Sequence, residues 1–247
     1  MRLGIIGGTG SAGLLPPGTP VVSPPGPWGM TSARLQRCDI NGHEVYFLAR
    51  HGAPLAPGIP PHQVNYRANL WALRELNVAH VLGINAVGGI TTEATPGRLV
   101  IPDQLIDYTW GREHTFSGDS RFPLQHVEFT TPFSAPLRSQ LIEAARRCSL
   151  DVLRAGTYGA TQGPRLETAA EIDRLERDGC HVVGMTAMPE AGLARELDLS
   201  YAICCTVVNR AAGRAPPGVA IHGEIAASMA AAMAGVRRLI MELLATD

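Results

Sequence analysis

The chain has 247 residues, 45% of them hydrophobic and 17% charged, and a formal net charge of −1. All 21 basic residues are arginine. This excludes a lysine Schiff base, hence the usual pyridoxal-phosphate chemistry, and the lysine of a P-loop nucleotide site. A near-neutral balance also argues against a nucleic-acid binder, which carries a basic excess. No apolar run reaches the ~18 residues of a membrane span, and Met1 to Ile6 lacks the long apolar stretch of a signal peptide. The five cysteines are scattered without a C-x-x-C pair, and adjacent Cys204 and Cys205 would face opposite sides of a strand. A reduced, cytoplasmic protein with buried thiols is expected.

In chain order, Arg2 to Gly7 reads as a strand entering the turn Gly7-Gly8-Thr9-Gly10. Residues 14–30 hold six prolines and read as loop. His43 to Ala49 is a short strand ending at Arg50-His51-Gly52. Val64 to Leu76 has helical spacing through Leu70, Leu73 and Leu76. Val78 to Ile84 is a buried-type strand ending at Asn85. Leu99 to Asp107 is extended and interrupted by Pro102, and 109–135 reads as a long loop. Pro136 to Cys148 is an amphipathic helix, Arg154 to Thr161 a strand, and Glu167 to Arg177 a helix closed by Gly179. His181 to Met185 is a strand, followed by a helix that has Pro189 near its first turn. Tyr201 to Val208 is a strand ending at Asn209, and Gly223 to Ala245 a long Ala/Met-rich helix. Alternating strands and helices, with no linker or repeat, predict one layered α/β/α domain over residues 1–247 with a central mixed, twisted sheet.

Gly8-Thr9-Gly10-Ser11-Ala12-Gly13 satisfies G-x-G-x-x-G after a strand. A dinucleotide site needs the motif to open a helix and an acidic residue about 20 positions on. Here Pro16-Pro17 follow, and the first acid is Asp39. An NAD-dependent oxidoreductase is therefore a remote alternative, and a backbone cradle for phosphate fits better. His222-Gly223-Glu224 begins a zinc-deaminase signature whose P-C-x-x-C half is missing, so no metal site is expected. Thr9, Arg50, His51, Asn85, Thr186 and Asn209 all fall at predicted strand ends, where open α/β sheets bind ligands. Together they would supply anion donors and an amide.

At these residues the chain resembles the trimeric purine nucleoside phosphorylase and 5′-methylthioadenosine phosphorylase family. The resemblance runs through Gly4 to Gly10, Leu48 to Gly52, Val64 to Asn69, Asn85 to Gly89, Gln162 to Thr168 and Gly184 to Glu190. It implies phosphorolysis of a purine nucleoside to free base and pentose 1-phosphate, without metal or organic cofactor. It places phosphate on Thr9, Arg50, His51, the Asn85-Ala86 turn and Thr186, with Arg50, His51 and Asn209 as catalytic groups. A fork of arginine donors, hydroxyls and backbone N–H groups suits that anion. The same resemblance puts the nucleoside against Met185, Asn209, Arg210, Ala211 and Glu167.

Adenosine-type members carry an Asp pair in a T-D-Y-D pattern where this chain reads Val208-Asn209-Arg210-Ala211, and Ser where it has Glu167. An amide can donate to N7 and O6, and a carboxylate accepts from N1–H. Both differences imply a 6-oxopurine, and a hydrogen-bond mismatch of this kind discriminates strongly. His222, thirteen residues after Asn209, corresponds to a histidine that reaches the 5′-hydroxyl, which implies inosine and guanosine. If the alignment slips through Ala215 to Gly218, Ile221 takes that place, and 5′-methylthioinosine becomes the alternative. His126 resembles a residue lent to a neighbouring subunit's 5′ pocket, implying a homotrimer, with pairing into a hexamer left open. A non-catalytic purine-binding protein is disfavoured by the intact Arg50, His51 and Asn209.

Overall fold

The computed structural model describes residues 1–21, 26–52 and 57–245. The strands are β1 (Arg2–Gly7), β2 (Thr19–Val21), β3 (Leu35–Ile40), β4 (His43–Ala49), β5 (His80–Gly89), β6 (Leu99–Val100), β7 (Gln104–Asp107), β8 (Val152–Leu153), β9 (Thr157–Ala160), β10 (Val182–Gly184) and β11 (Ser200–Arg210). The helices are α1 (Tyr66–Glu75), α2 (Ala135–Arg147), α3 (Ala169–Arg177), α4 (Ala187–Glu196) and α5 (Ile221–Leu243). The main strand path is β2-β3-β4-β1-β5-β10-β9-β7, with β11 on β5 and β6, and β8 on β6. Pairing is mixed: β1 is parallel to β4 and β5, and β5 to β11, whereas β10 is antiparallel to β5.

Alternation along the central strands divides the core into two layers. Ile6, Val81, Ile203 and Cys205 pack with residues of α1 and α4, whereas Ile5, Leu82, Ala202 and Cys204 pack with residues of α2 and α5. Cys204 and Cys205 thus face opposite sides, as their adjacency in a strand requires. The result is the expected α/β/α arrangement around a mixed sheet.

Two departures from the predicted elements matter. First, β3 and β2 lie outside the predicted set, because Gln36, Arg37 and Asp39 break the hydrophobic pattern of β3. The missed signal is Asn41-Gly42, whose positive φ values of 53° and 78° close a tight hairpin between Ile40 and His43. Part of the proline-rich stretch, residues 22–25, lies outside the described residues. Second, β5 does not end at Asn85. It continues to Gly89, paired with β11 on one side and with β10 at Gly88 and Gly89. Asn85 and Ala86 are therefore strand residues, not a turn. As expected, no helix follows the glycine turn. Ser11 N and Oγ both donate back to Gly8 O, and the next element is β2. That removes the dinucleotide reading.

The start of α3 shows how local chemistry places a site residue. Thr168 accepts from Glu171 N while the Glu171 carboxylate accepts from Thr168 N, a capping box that starts the helix at Ala169. Glu167, predicted as the first helical residue, is left outside the helix. Thr168→Ala is expected to cost about 1 kcal/mol. For a chain of this length it should lower the melting temperature by roughly 2–4 °C in calorimetry. An unchanged melting temperature would show that the cap contributes nothing.

Candidate active site

Strand register builds the site. Gly7 pairs with Ala49 on β4 and with Ile84 on β5, so Gly8 and Arg50, just past the ends of β1 and β4, lie level with Asn85 inside β5. Two backbone bonds hold this edge: Arg50 N donates to Gly7 O, and Gly8 N to Ile84 O. Gly8 permits the approach, since a Cβ there would sit 2.8 Å from Ile84 O and 2.9 Å from Arg50 Nη1. At this edge opens a cavity of about 520 Å³, within the range of small-molecule sites. Thr9, Arg50, His51, Ala86, Met185, Thr186, Glu167, Asn209 and Ala211 all line it.

β11 reaches the cavity through a bulge. Its register on β5 shifts between Val207 and Asn209, leaving Val208 unpaired. In a regular strand, successive side chains alternate faces, but a bulge re-aims them. Val208 and Asn209 accordingly border the same cavity. Gly88 lies under this wall: a Cβ there would be 3.4 Å from both Asn209 Nδ2 and the Ala211 Cα.

The electrostatics of the polar end differ from the expected arginine fork. Arg50 is fully buried, and its Nε and Nη2 donate to Glu190 at 2.7 and 2.9 Å. Nη2 also donates to Ile6 O and Nη1 to Ile84 O. One N–H, on Nη1, is left without a partner among the described residues. Glu190 is itself fully buried and also accepts from Tyr201 Oη at 2.7 Å. Burial, followed by the Glu190 charge, holds the Tyr201 hydroxyl well above its ordinary range, so it stays a donor. His51 Nδ1 lies 2.8 Å from Ile59 O. A carbonyl can only accept, so Nδ1 carries the proton and Nε2 is the free nitrogen. Burial, then the Arg50 charge, lower the His51 pKa, which keeps the ring neutral at neutral pH.

Asn85 does not line the cavity but stands behind it. Its Nδ2 donates to Thr186 Oγ1 at 2.8 Å, which frees the Thr186 hydroxyl hydrogen for another acceptor. At the opposite end, Thr161 Oγ1 donates to Glu167 Oε1 at 2.6 Å. Asn209 Nδ2 donates to Arg210 O at 2.6 Å, leaving its second N–H and Oδ1 available.

Two expected substrate contacts are not brought together. Arg210 turns away: its Nη1 donates to Glu224 Oε1 and its backbone N to Glu224 Oε2, both at 2.8 Å. His222 is exposed on the first turn of α5 and does not border the cavity. Ile221, Ile225 and Met229 border it instead. Their spacing of four puts them on one helix face, from which His222 is rotated away. Met229 packs so closely on the glycine turn that a Cβ on Gly10, at φ 83°, would overlap its Sδ. His126 is exposed and does not border this chain's cavity. Glu190, Tyr201, Thr161 and the α5 stripe were missed in the sequence. A lone acid in an Ala-rich, buried helical stretch was the available signal for Glu190.

A polar edge with hydroxyls and an arginine, in one cavity with a carboxylate and an amide, fits a nucleoside-processing α/β phosphorylase. Residues 2–245 match the Phosphorylase superfamily, and the chain belongs to it. It is 48% identical over 217 residues to a probable S-methyl-5′-thioinosine phosphorylase of Xanthomonas campestris, covering 88% of this chain and 86% of that one. It is 42% identical to a probable 6-oxopurine nucleoside phosphorylase of Thermococcus kodakarensis, covering 87% and 81%. The fold superposes on methylthioadenosine phosphorylase from Schistosoma mansoni in complex with adenine, with a TM-score of 0.91 and 32% identity over 99% of this chain and 91% of that one. The protein is an enzyme that phosphorolyses purine nucleosides.

Glu190→Gln leaves the Arg50 charge buried without a counter-ion. The expected loss is about 3–5 kcal/mol of unfolding free energy, read by urea titration, together with a raised KM for phosphate. An unchanged midpoint and KM would show that the pair is dispensable.

Proposed function

We propose that the preferred substrate is 5′-methylthioinosine, cleaved by phosphate to hypoxanthine and 5-methylthioribose 1-phosphate. The observation that carries this reading is the apolar stripe Ile221, Ile225 and Met229 bordering the cavity while His222 stays outside. A 5′-hydroxyl would find no polar partner on that wall, whereas a methylthio group would be desolvated there favourably. The name of the Xanthomonas relative supports the same choice. The reading by which His222 selects inosine and guanosine loses its key contact, and these nucleosides remain the second candidates.

In this mechanism phosphate sits against Thr9, the free Arg50 N–H, His51, the Ala86 backbone and the Thr186 hydroxyl. Arg50 and Glu190 cancel as an ion pair and His51 is neutral, so directed hydrogen bonds rather than a bare charge hold the anion. Its oxygen attacks the anomeric carbon beside Met185 as the bond to the purine breaks. Positive charge develops on the sugar and electron density moves onto the base. Phosphate stabilises the first, and an Asn209 N–H toward N7 stabilises the second. Glu167, with Oε1 held by Thr161, keeps Oε2 for the N1–H of a 6-oxopurine. Adenine lacks that hydrogen, and Ala211 offers no acceptor to its amino group. Phosphate is the co-substrate, and the reaction as drawn uses no metal or organic cofactor. We further propose a cytoplasmic homotrimer, alone or paired, in which His126 completes a neighbour's 5′ pocket. No described helix is long and apolar enough to cross a membrane.

A phosphate-dependent assay of five nucleosides in parallel tests this: methylthioinosine, inosine, guanosine, methylthioadenosine and adenosine. Methylthioinosine is expected to exceed inosine in kcat/KM by roughly 10–200-fold, the range for an apolar group in an apolar pocket. Equal turnover of the two would overturn the 5′ assignment, and preference for either adenine nucleoside would overturn the base assignment. Asn209→Asp should shift relative kcat/KM toward 6-aminopurines. A uniform loss on all five substrates would remove Asn209 from specificity.

A further inference from the structure

The segment between β7 and α2 contains Arg112, which is only 7% exposed. All five of its N–H bonds have acceptors. Nη2 donates to Thr161 O at 3.2 Å and Gln162 O at 2.8 Å, and Nε donates to Gln162 Oε1 at 3.2 Å. Nη1 donates to Met185 O at 2.8 Å and Met188 O at 2.7 Å, with Tyr66 Oη further off at 3.4 Å. No carboxylate among the described residues pairs with it, in contrast to Arg50.

These acceptors belong to the two segments that follow the adjacent parallel strands β9 and β10, and of the acceptor residues Met185 borders the cavity. Thr161 and Gln162 open the turn that leads to Glu167, and Met185 and Met188 flank Thr186 at the start of α4. We propose that Arg112 is a positioning residue for phosphorolysis, its planar guanidinium fixing the turn that leads to Glu167 against the start of α4 that carries Thr186. Four carbonyl dipoles converging on one point repel one another, so a cation has to gather them. Only arginine offers five donors in a rigid plane, whereas an ammonium has three donors on a point charge. Because no carboxylate diverts a donor, both edges of the fork serve the site. Gly163 and Met185 are in contact between the two segments, since a Cβ on Gly163 would overlap Met185 Sδ. A change in the Arg112 anchor is therefore transmitted to both segments.

Arg112→Ala and Arg112→Lys test this in steady-state assays that vary phosphate and, separately, whichever nucleoside the native enzyme uses best. The test is thus independent of the 5′ assignment. In Arg112→Ala, kcat/KM for both substrates is expected to fall roughly 100-fold, the scale of a 1 Å misplacement. Millimolar guanidinium should restore activity saturably, and ammonium should not. Arg112→Lys, which keeps the charge but not the fork, should stay impaired toward both substrates. Native kinetics in Arg112→Lys, a loss confined to one substrate, or a folded Arg112→Ala that guanidinium fails to rescue would each overturn the proposal. If Arg112→Ala does not fold, Arg112→Lys decides by the same criteria.

Discussion

Arg50 and Glu190 form a fully buried, bidentate ion pair between the end of β4 and the first turn of α4. Removing two charges from water is costly, and well-packed apolar residues of the same volume would often stabilise a core as much. What the pair supplies is position. It ties α4, and with it Met185 and Thr186, to the strand edge that carries Gly8 and His51. Its remaining hydrogen bonds, from Tyr201 to Glu190 and from Arg50 to the carbonyls of Ile6 and Ile84, leave one Arg50 N–H without a partner among the described residues. Arg50 borders the cavity, so the pair leaves a single directed donor where a bare guanidinium would have left a diffuse charge.

The rest of the cavity follows from how three chain segments are re-aimed around that edge. The bulge in β11 brings Val208 and Asn209 to one side. The capping box at Thr168 leaves Glu167 just ahead of α3, within reach of Thr161. The ion pair of Arg210 with Glu224 draws the start of α5 onto β11, which turns Ile221, Ile225 and Met229 inward and His222 outward. The Arg210 side chain therefore shapes the α5 side of the cavity while remaining outside it.

Much of this could be read from residue order. β1, β4, α1, α2 and α5 lie close to where periodicity put them, and Thr9, Arg50, His51 and Thr186 follow strand ends that border the cavity. Other features could not be read in that way. The length of β5 depends on β10 and β11 pairing across Asn85 to Gly89, and strand partners are not visible in a single strand's pattern. β3 escaped because its exposed face is charged, although Asn41-Gly42 announced the hairpin. The exchange of His222 for Ile221 was a matter of one residue, which on a helix is a rotation of 100°.

The sequence by itself determined the chemistry available: no lysine, a glycine turn able to cradle an anion, Arg50-His51 after a strand, and a carboxylate and an amide in place of their counterparts in adenosine-type enzymes. Those follow from residue type and local spacing, which act over a few residues. Only the tertiary structure decided which groups are free to use. Arg50 is largely committed to a glutamate 140 positions away, Arg210 faces Glu224, and an isoleucine borders the cavity where a histidine was expected. Hydrogen-bond donors and helix faces are allocated by packing between distant segments, and no local pattern encodes that allocation.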